Sequence, residues 1–193
     1  MISAETIAYI SVVFWLLPPF RQFKGRFFYY FLIMALSDPI NIFCVEEFRA
    51  PLYTIHSIAG LFLIFSLTFN QNGFKKKLFL ALSLFFVFIW GMIYFENHLY
   101  FLLTIHSIIF LILLKIAILP IYQENTINIF YFALLFYELS IVLNLSLIMG
   151  GSNIKMLLFY MTLSIQVLMA IFFTIFTEKS EILLFHLSNT DSS

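Results

Sequence analysis

Five ionisable side chains lie within long apolar segments of this sequence, and their types could do chemistry there. They are Asp38, His56, His106, Lys115 and Glu138. A charged side chain at a helix centre in membrane hydrocarbon costs at least about 2.5–3.5 kcal/mol, so such residues mark a proton path, a ligand site or an internal hydrogen bond. Carboxylates and imidazoles transfer protons and bind small polar ligands, which makes these residues the first functional candidates.

Asp38 lies deep in the second apolar segment, directly before Pro39. Pro39 has no N–H to donate to the carbonyl of Ala35, which predicts a kink at this point of a helix. Asn41 follows three residues after Asp38 and shares its face. A kink beside a carboxylate exposes backbone carbonyls to an ion or a proton. We therefore favour a functional site over a protonated Asp38 that only bonds to a neighbouring helix.

His56 and His106 occupy the same place in two copies of the sequence Thr-Ile-His-Ser-Ile, at 54–58 and 104–108. Duplication and chance explain these copies equally well. The imidazoles either face one cavity, for a proton, a metal or a ligand, or lie near the outer surface and each bond to a neighbour. We favour the second interpretation because no third ligand has metal-binding spacing and both helix faces turn apolar below the histidine. Gly60, on the face of His56, predicts the close approach of another helix.

Glu138 lies near the middle of the sixth apolar segment, beside further polar residues of the sixth and seventh segments. These residues are Tyr137, Ser140, Asn144, Thr162 and Gln166. Together with Asp38 they predict a polar seam between the second, sixth and seventh helices. Interhelical hydrogen bonds, worth about 0.6–2 kcal/mol each, and a ligand or proton site are equal explanations of this seam.

The candidate ligand or proton site therefore consists of side chains from five segments. They are Asp38, Asn41, His56, His106, Glu138, Asn144 and Gln166. Lys115 is left out because we expect it one turn from the inner end of its helix, where its long side chain reaches the headgroups. The sequence has no H-E-x-x-H, G-x-S-x-G or P-loop motif, so it predicts no catalytic residue, no metal and no cofactor.

The composition is that of a membrane protein. Of the 193 residues, 63% are hydrophobic and 10% are charged, and the mean hydropathy is +1.03. A soluble domain is about half apolar and about a quarter charged, so lipid must cover apolar surface that a water-soluble fold could not hide. The formal net charge is zero, which gives no support to nucleic-acid binding.

The apolar segments have the length of transmembrane helices, which need about 20 residues. We predict one all-α domain over 1–177 with seven such helices: Glu5–Phe20, Phe27–Val45, Leu52–Asn70, Leu78–Phe95, Leu99–Leu119, Ile127–Met149 and Ile154–Thr177. The links are short, so neighbouring helices should be antiparallel and in contact. Residues 178–193 are expected to form a short interfacial helix, through the apolar cluster 182–185, and a disordered cytoplasmic tail.

Basic residues collect at every second boundary between these segments. The larger set comprises Arg21, Lys24, Arg26, Lys75, Lys76, Lys77, Lys115 and Lys179, and the alternate boundaries hold only Arg49 and Lys155. Cytoplasmic links of membrane proteins carry an excess of Lys and Arg, so the N-terminus should be outside and the C-terminus inside. Seven crossings agree with this placement, because an odd number puts the two ends on opposite sides of the membrane.

Two stretches in the first three predicted helices carry a family resemblance. Leu16-Leu17-Pro18 to Asp38, followed by Pro51-Leu52-Tyr53-Thr54-Ile55-His56, resembles small uncharacterised bacterial seven-helix membrane proteins. Related seven-helix modules serve as membrane sensor domains beside histidine kinases. The resemblance implies a sensing or accessory role and supplies no site residues.

Three functions are compatible with these features. The first is a non-enzymatic sensor or accessory subunit of a membrane complex. The second is a small proton-coupled carrier with Asp38, Glu138 and His56 along its path. The third is an intramembrane enzyme that modifies a lipid, with Asp38 or Glu138 as acid or base. In each case we expect a multi-pass protein of the inner (cytoplasmic) cell membrane, with lipids and a membrane protein or further copies of the chain as partners.

Overall fold

A computed structural model of the protein describes residues 4–49, 51–68, 74–95, 97–150 and 155–186. Within these ranges the chain forms seven helices of 12 to 27 residues and one four-residue helix. In chain order the helices are α1 Ala4–Trp15, α2 Pro18–Arg21, α3 Phe28–Phe48, α4 Leu52–Thr68, α5 Phe74–Tyr94, α6 His98–Glu124, α7 Ile129–Met149 and α8 Lys155–Ile175. The prediction of an all-α fold is confirmed for these residues, apart from one short two-stranded ribbon.

The first predicted helix, Glu5–Phe20, is broken in the structure. α1 ends at Trp15, and α2 begins at Pro18. Pro18 and Pro19 lack the N–H groups that would continue the helical hydrogen bonds, so the ladder stops here. The amide of Leu17 bonds to the carbonyl of Phe14 at 3.2 Å, three residues back, which tightens the last turn.

The fifth predicted helix, Leu99–Leu119, is longer than expected. α6 runs through Pro120 and ends at Glu124, because one proline removes a single hydrogen bond and the next turn can still form. Asn125 then ends the helix in the left-handed conformation, with φ at 49°. The sequence predicted Lys115 one turn from the end of its helix. In the structure the helix continues for about two and a half turns beyond Lys115.

Six helices form a closed ring in the order α1, α3, α4, α6, α7 and α8, and α8 packs against α1. α5 lies outside this ring and contacts α4 and α6. We call the end of the bundle that carries Arg21, Lys24 and Arg26 the basic end. The last residues of α3 and α7 lie at the opposite end.

Three of the described helices are long and apolar enough to cross a membrane: Phe28–Phe48, His98–Glu124 and Ile129–Met149. Leu52–Thr68, Leu78–Tyr94 and Tyr160–Ile175 are shorter apolar helices. The outer surface exposes large apolar side chains, among them Phe62, Phe86, Leu111 and Leu168. An apolar exterior of this extent is stable only when lipid or another protein covers it.

Aromatic side chains fill the ring towards the basic end. Trp15 packs on Tyr137 and Phe31 packs on Phe173, each with ring centroids 4.9 Å apart. Phe130 completes the cluster, 5.3 Å from Phe173. All five side chains are buried, so this half of the bundle is a packed apolar core.

Gln22 ties α2 to the end of α8. Its Nε2 donates to the carbonyl oxygens of Phe173 at 3.0 Å and Phe176 at 2.8 Å. The last carbonyls of a helix have no partner within the helix, so this buried side chain caps α8.

A two-stranded antiparallel ribbon lies beside this cap. β1 (Thr126–Asn128) pairs with β2 (Leu184–His186). The predicted interfacial helix at 182–185 is therefore replaced by one 3₁₀ turn and a strand, because pairing with β1 satisfies the backbone groups of this segment. The predicted tail at 187–193, and the predicted helix boundaries at Asn70 and Ile154, lie outside the described residues.

Gly60 brings α4 close to α6, as the sequence predicted. A Cβ atom at this position would lie 2.6 Å from Cγ2 of Ile105, which is too close for van der Waals contact. The absence of a side chain therefore sets the distance between these two helices.

We expect Gly60→Ala to lower the free energy of unfolding by about 1–3 kcal/mol, because the added methyl group overpacks the α4–α6 contact. Unfolding in mixed detergent micelles measures this loss. Gly150→Ala is the matched control, since the nearest atom to a Cβ there is 3.6 Å away and φ is −68°. The double variant Gly60→Ala/Ile105→Ala should lose less stability than the sum of the losses in the two single variants. A loss equal to that sum would contradict the contact.

Candidate functional site

A cavity of about 190 Å³ lies inside the ring, and all six ring helices contribute to its wall. It extends from Leu52, at the start of α4, to Trp15, at the end of α1. Its polar lining residues are Ser37, Asp38, Tyr53, His56, His106, Tyr137, Asn144, Thr162 and Gln166. Since a cavity holds a water molecule once about 10–15 Å³ is accessible to a water-sized sphere, this one has room for several waters or one small solute.

Asp38 comes to the cavity from the middle of α3, which continues on both sides of Pro39. The hydroxyl of the preceding Ser37 donates to the carbonyl of Met34 at 2.9 Å, so it is already engaged within the helix. Over the described part of the chain, no residue donates a hydrogen bond to the carboxylate of Asp38. This half-buried acid can therefore bind a ligand, a water or a proton.

His56 is held at the cavity wall by Asn41, a buried residue on α3. Asn41 Nδ2 lies 2.7 Å from His56 Nε2. An amide nitrogen only donates, so Nε2 accepts in this arrangement and the neutral imidazole carries its hydrogen on Nδ1. Asn41 thus orients His56 and leaves Nδ1 as the group that can donate to a ligand.

His106 is held in the same way by a charged partner, Glu138 on α7. Nδ1 of His106 lies 2.6 Å from Oε1 of Glu138, and Glu138 is completely buried. The carboxylate fixes the ring, so Nε2 remains the atom through which His106 can exchange a proton or bind a solute. The pair has no net charge either as a neutral imidazole with a protonated carboxyl group or as an imidazolium with a carboxylate. A pair without net charge is less costly to bury in an apolar surrounding.

Gln166 and Asn144 form the amide part of the wall, on α8 and α7. Gln166 Oε1 accepts a hydrogen bond from Ser11 Oγ of α1 at 3.3 Å, which leaves its amide nitrogen as a donor. Asn144 adds both a donor and an acceptor. The wall therefore combines one carboxylate, two imidazoles and two amides that come from separate helices.

The structure brings the candidate residues from the sequence into one place. Asp38, His56, His106, Asn144 and Gln166 line the cavity. The two remaining candidates, Asn41 and Glu138, stand directly behind the two histidines. The seam expected between α3, α7 and α8 thus extends to α4 and α6, and each histidine both bonds to a neighbour and faces the shared cavity.

Trp15 is the lining residue that sequence reasoning missed. Its indole Nε1 is buried and has no hydrogen-bond partner among the described residues. The only signal near it is the Pro18-Pro19 pair, which ends α1 at the depth of the cavity. Groups of three or more His, Cys, Asp or Glu side chains that could hold a metal do not occur in the described part of the chain.

The chain matches no protein-family model, no curated protein sequence and no solved structure. The similarity to seven-helix sensor modules therefore stays a prediction. Function has to follow from the geometry of the cavity.

Removal of either member of the His106–Glu138 pair should strongly destabilise the protein. We expect Glu138→Leu to cost about 3–5 kcal/mol in the free energy of unfolding, because Nδ1 of His106 loses its buried partner. Glu138→Gln keeps an acceptor at the same place and should cost much less. The double variant His106→Leu/Glu138→Leu should recover most of the stability, as measured by detergent unfolding.

His56→Leu is the comparison for this series, because His56 bonds to the uncharged Asn41. It should lower the free energy of unfolding by about 1–3 kcal/mol, the cost of leaving a buried neutral group without a partner. Equal losses for Glu138→Gln and Glu138→Leu would show that the hydrogen bond to His106 does not support the fold.

Proposed function

We propose that this chain is a multi-pass protein of the inner (cytoplasmic) cell membrane that crosses the bilayer seven times, with its N-terminus outside. The number of helices, the short links and the exposed apolar surface support seven crossings. Arg21, Lys24 and Arg26 at the basic end support a cytoplasmic location for that end. Reporter tags that place both chain ends in one compartment would contradict this topology.

Within this topology the protein acts as a non-enzymatic sensor or accessory subunit that binds a small polar ligand in the ring cavity. The observation that carries this function is the convergence of Asp38, His56, His106, Asn144 and Gln166 on one concave space inside the ring. Both histidines and Gln166 are already oriented by hydrogen bonds, so little side-chain entropy is lost when a ligand binds. Such convergent polar groups in a concave site are typical of ligand binding.

The packing below the cavity favours binding over passage. Trp15 and Tyr137 bound the cavity on the side of the basic end, and the aromatic cluster of Phe31, Phe130 and Phe173 fills the ring beyond them. A solute in the cavity therefore has no open route towards the basic end in this conformation. The described links between helices are too short for a soluble domain, and we propose a membrane-protein partner as the receiver of the output.

A small proton-coupled carrier is the second candidate function, and the His106–Glu138 pair favours it. Ionisable pairs that face a polar cavity inside a helical bundle occur along the proton paths of transporters. Here the pair can take up or release a proton through Nε2 of His106 when a solute enters. This function requires the aromatic cluster to open towards the basic end during transport.

We expect at least one class of small polar solute to raise the melting temperature of the protein in a thermal-shift screen. A ligand at 100 times its dissociation constant stabilises a protein by about 2.7 kcal/mol. Asp38→Asn and Asn144→Leu should abolish the shift, because they remove the charge and the amide from the wall. Ser83→Ala is the control on α5, since Ser83 lies outside the ring cavity and its hydroxyl donates to the carbonyl of Phe79. No response from any solute, or an unchanged shift in Asp38→Asn, would argue against a ligand site.

The two candidate functions differ in proton movement and in partners. For a sensor or accessory subunit we expect co-purification with another membrane protein from the native host after gentle crosslinking, and no solute flux in proteoliposomes. For a carrier we expect a stabilising solute to drive a pH change inside proteoliposomes, lost in Glu138→Gln. Recovery only as a free monomer, together with no flux, would contradict both.

A further inference from the structure

A second polar pocket, of about 680 Å³, lies at the basic end and is separate from the ring cavity. It is bounded by the link before α3, the second half of α6, the ribbon and the segment after α8. Its charged lining residues are Arg26, Lys115, Glu124 and Glu178. The aliphatic side chains of Leu67, Ile112, Ile116 and Leu119 form an apolar wall beside them.

The four charges face the pocket without forming ion pairs. Across the described ranges, no Lys or Arg nitrogen lies within 4.0 Å of a carboxylate oxygen, and the one close acid–base contact is His106–Glu138. Glu178 instead accepts from the backbone N–H of Arg26 at 3.2 Å, and its carbonyl accepts from Asn128 Nδ2 at 2.9 Å. The guanidinium of Arg26 lies over the ring of Phe27, 5.5 Å from its centroid. Arg26 and Glu178 are thus held by these contacts, and among the described residues the four charges of the pocket form no ion pair with one another.

The charge composition selects a ligand that carries both signs. A purely anionic group would gain from Arg26 and Lys115 but would meet the carboxylates of Glu124 and Glu178. A purely cationic group would meet the opposite conflict. A zwitterion with a phosphate and an ammonium group satisfies all four charges, since Arg and Lys bind phosphate oxygens and carboxylates accept from N–H donors.

The hydrogen-bonding chemistry further selects a primary ammonium. Carboxylates gain most from a donor, and –NH₃⁺ offers three N–H groups. A trimethylammonium group has no donor and is usually bound by an aromatic cage. Tyr131 is the one aromatic residue among the described residues that line this pocket. The pocket is therefore suited to an ethanolamine and poorly suited to a choline.

We propose that this pocket binds a phosphoethanolamine group, with the phosphate at Arg26 and Lys115 and the ammonium at Glu124 and Glu178. The basic end is the headgroup level in the proposed topology, and the wall of Ile112, Ile116 and Leu119 on α6 continues towards the bundle where an acyl chain would lie. The same chemistry is offered by a phosphatidylethanolamine headgroup and by free phosphoethanolamine. This site is independent of the ligand of the ring cavity.

Lipid competition on the purified full chain tests the proposal. Native mass spectrometry and thermal unfolding are measured with added phosphatidylethanolamine, phosphatidylcholine and phosphatidylglycerol of identical acyl chains. We expect phosphatidylethanolamine to bind at least about tenfold more tightly than either of the other lipids, because only it satisfies both sets of charges with hydrogen bonds. Equal binding of the ethanolamine and choline lipids, or a preference for the anionic lipid, would overturn the proposal.

Charge-neutral variants locate the site. Lys115→Met and Glu178→Gln should each weaken binding of the ethanolamine lipid by about tenfold. Lys179→Met and Glu181→Gln are the matched controls, because both residues are exposed, close in sequence and outside the pocket. If Glu178→Gln fails to fold, Glu124→Gln serves in its place. Equal effects of pocket and control variants would refute this location.

Free phosphoethanolamine separates the two sources of the ligand. Displacement of the lipid by millimolar phosphoethanolamine would identify the headgroup chemistry alone as the recognised feature. Retention of the lipid, together with loss of binding in Lys115→Met, would show that the apolar wall is needed and that the ligand is the lipid. Retention of the lipid in both the wild type and Lys115→Met would contradict a headgroup site here.

Discussion

A carboxylate that is completely buried in a helical bundle must find its compensation inside the protein, and Glu138 finds it in His106. The contact fixes the rotation of α6 and α7 about their own axes, because Nδ1 and Oε1 have to meet at 2.6 Å. With these two helices fixed, Leu102 and Asn144 face the same interior space. The pairing therefore accounts for the polar interior at this level. If either helix turned an apolar face to the other here, Glu138 would be buried without a partner.

The bond between Asn41 and His56 repeats this arrangement with different chemistry. In both pairs a buried residue on a neighbouring ring helix holds an imidazole at the cavity wall. The contact between Gly60 and Ile105 keeps α4 and α6 together, which brings the two histidines to one space. The partner of His56 is an uncharged amide, whereas the partner of His106 is a carboxylate. The cavity wall therefore contains two imidazoles, one oriented by an amide and the other by a carboxylate.

Much of this arrangement could be predicted from the sequence, since polar residues in apolar helices have to face one another. The helical fold, the close approach at Gly60 and the identity of the candidate residues followed from residue type and period. Their convergence did not, because the order of the helices in space depends on pairwise packing that a single sequence does not encode locally. Proline gave mixed guidance: Pro18 and Pro19 together broke a helix that was expected to continue, and Pro120 alone failed to end one. The strand at Leu184–His186 was missed because its partner, Thr126–Asn128, is remote in sequence and too short to show a period.

The two polar regions of the molecule are separated by a packed aromatic core, so any influence of one on the other has to travel through the movement of helices. α1 and α2 are the elements placed to transmit it. Trp15 lines the cavity at the end of α1, and Gln22 caps α8 beside the basic end, with only the proline-interrupted segment 16–21 between them. A ligand that displaces Trp15 acts on a chain that is not held by continuous helical hydrogen bonds at this point. The break between α1 and α2, which the sequence did not predict, therefore separates the helix that bounds the cavity from the segment that is tied to the end of α8.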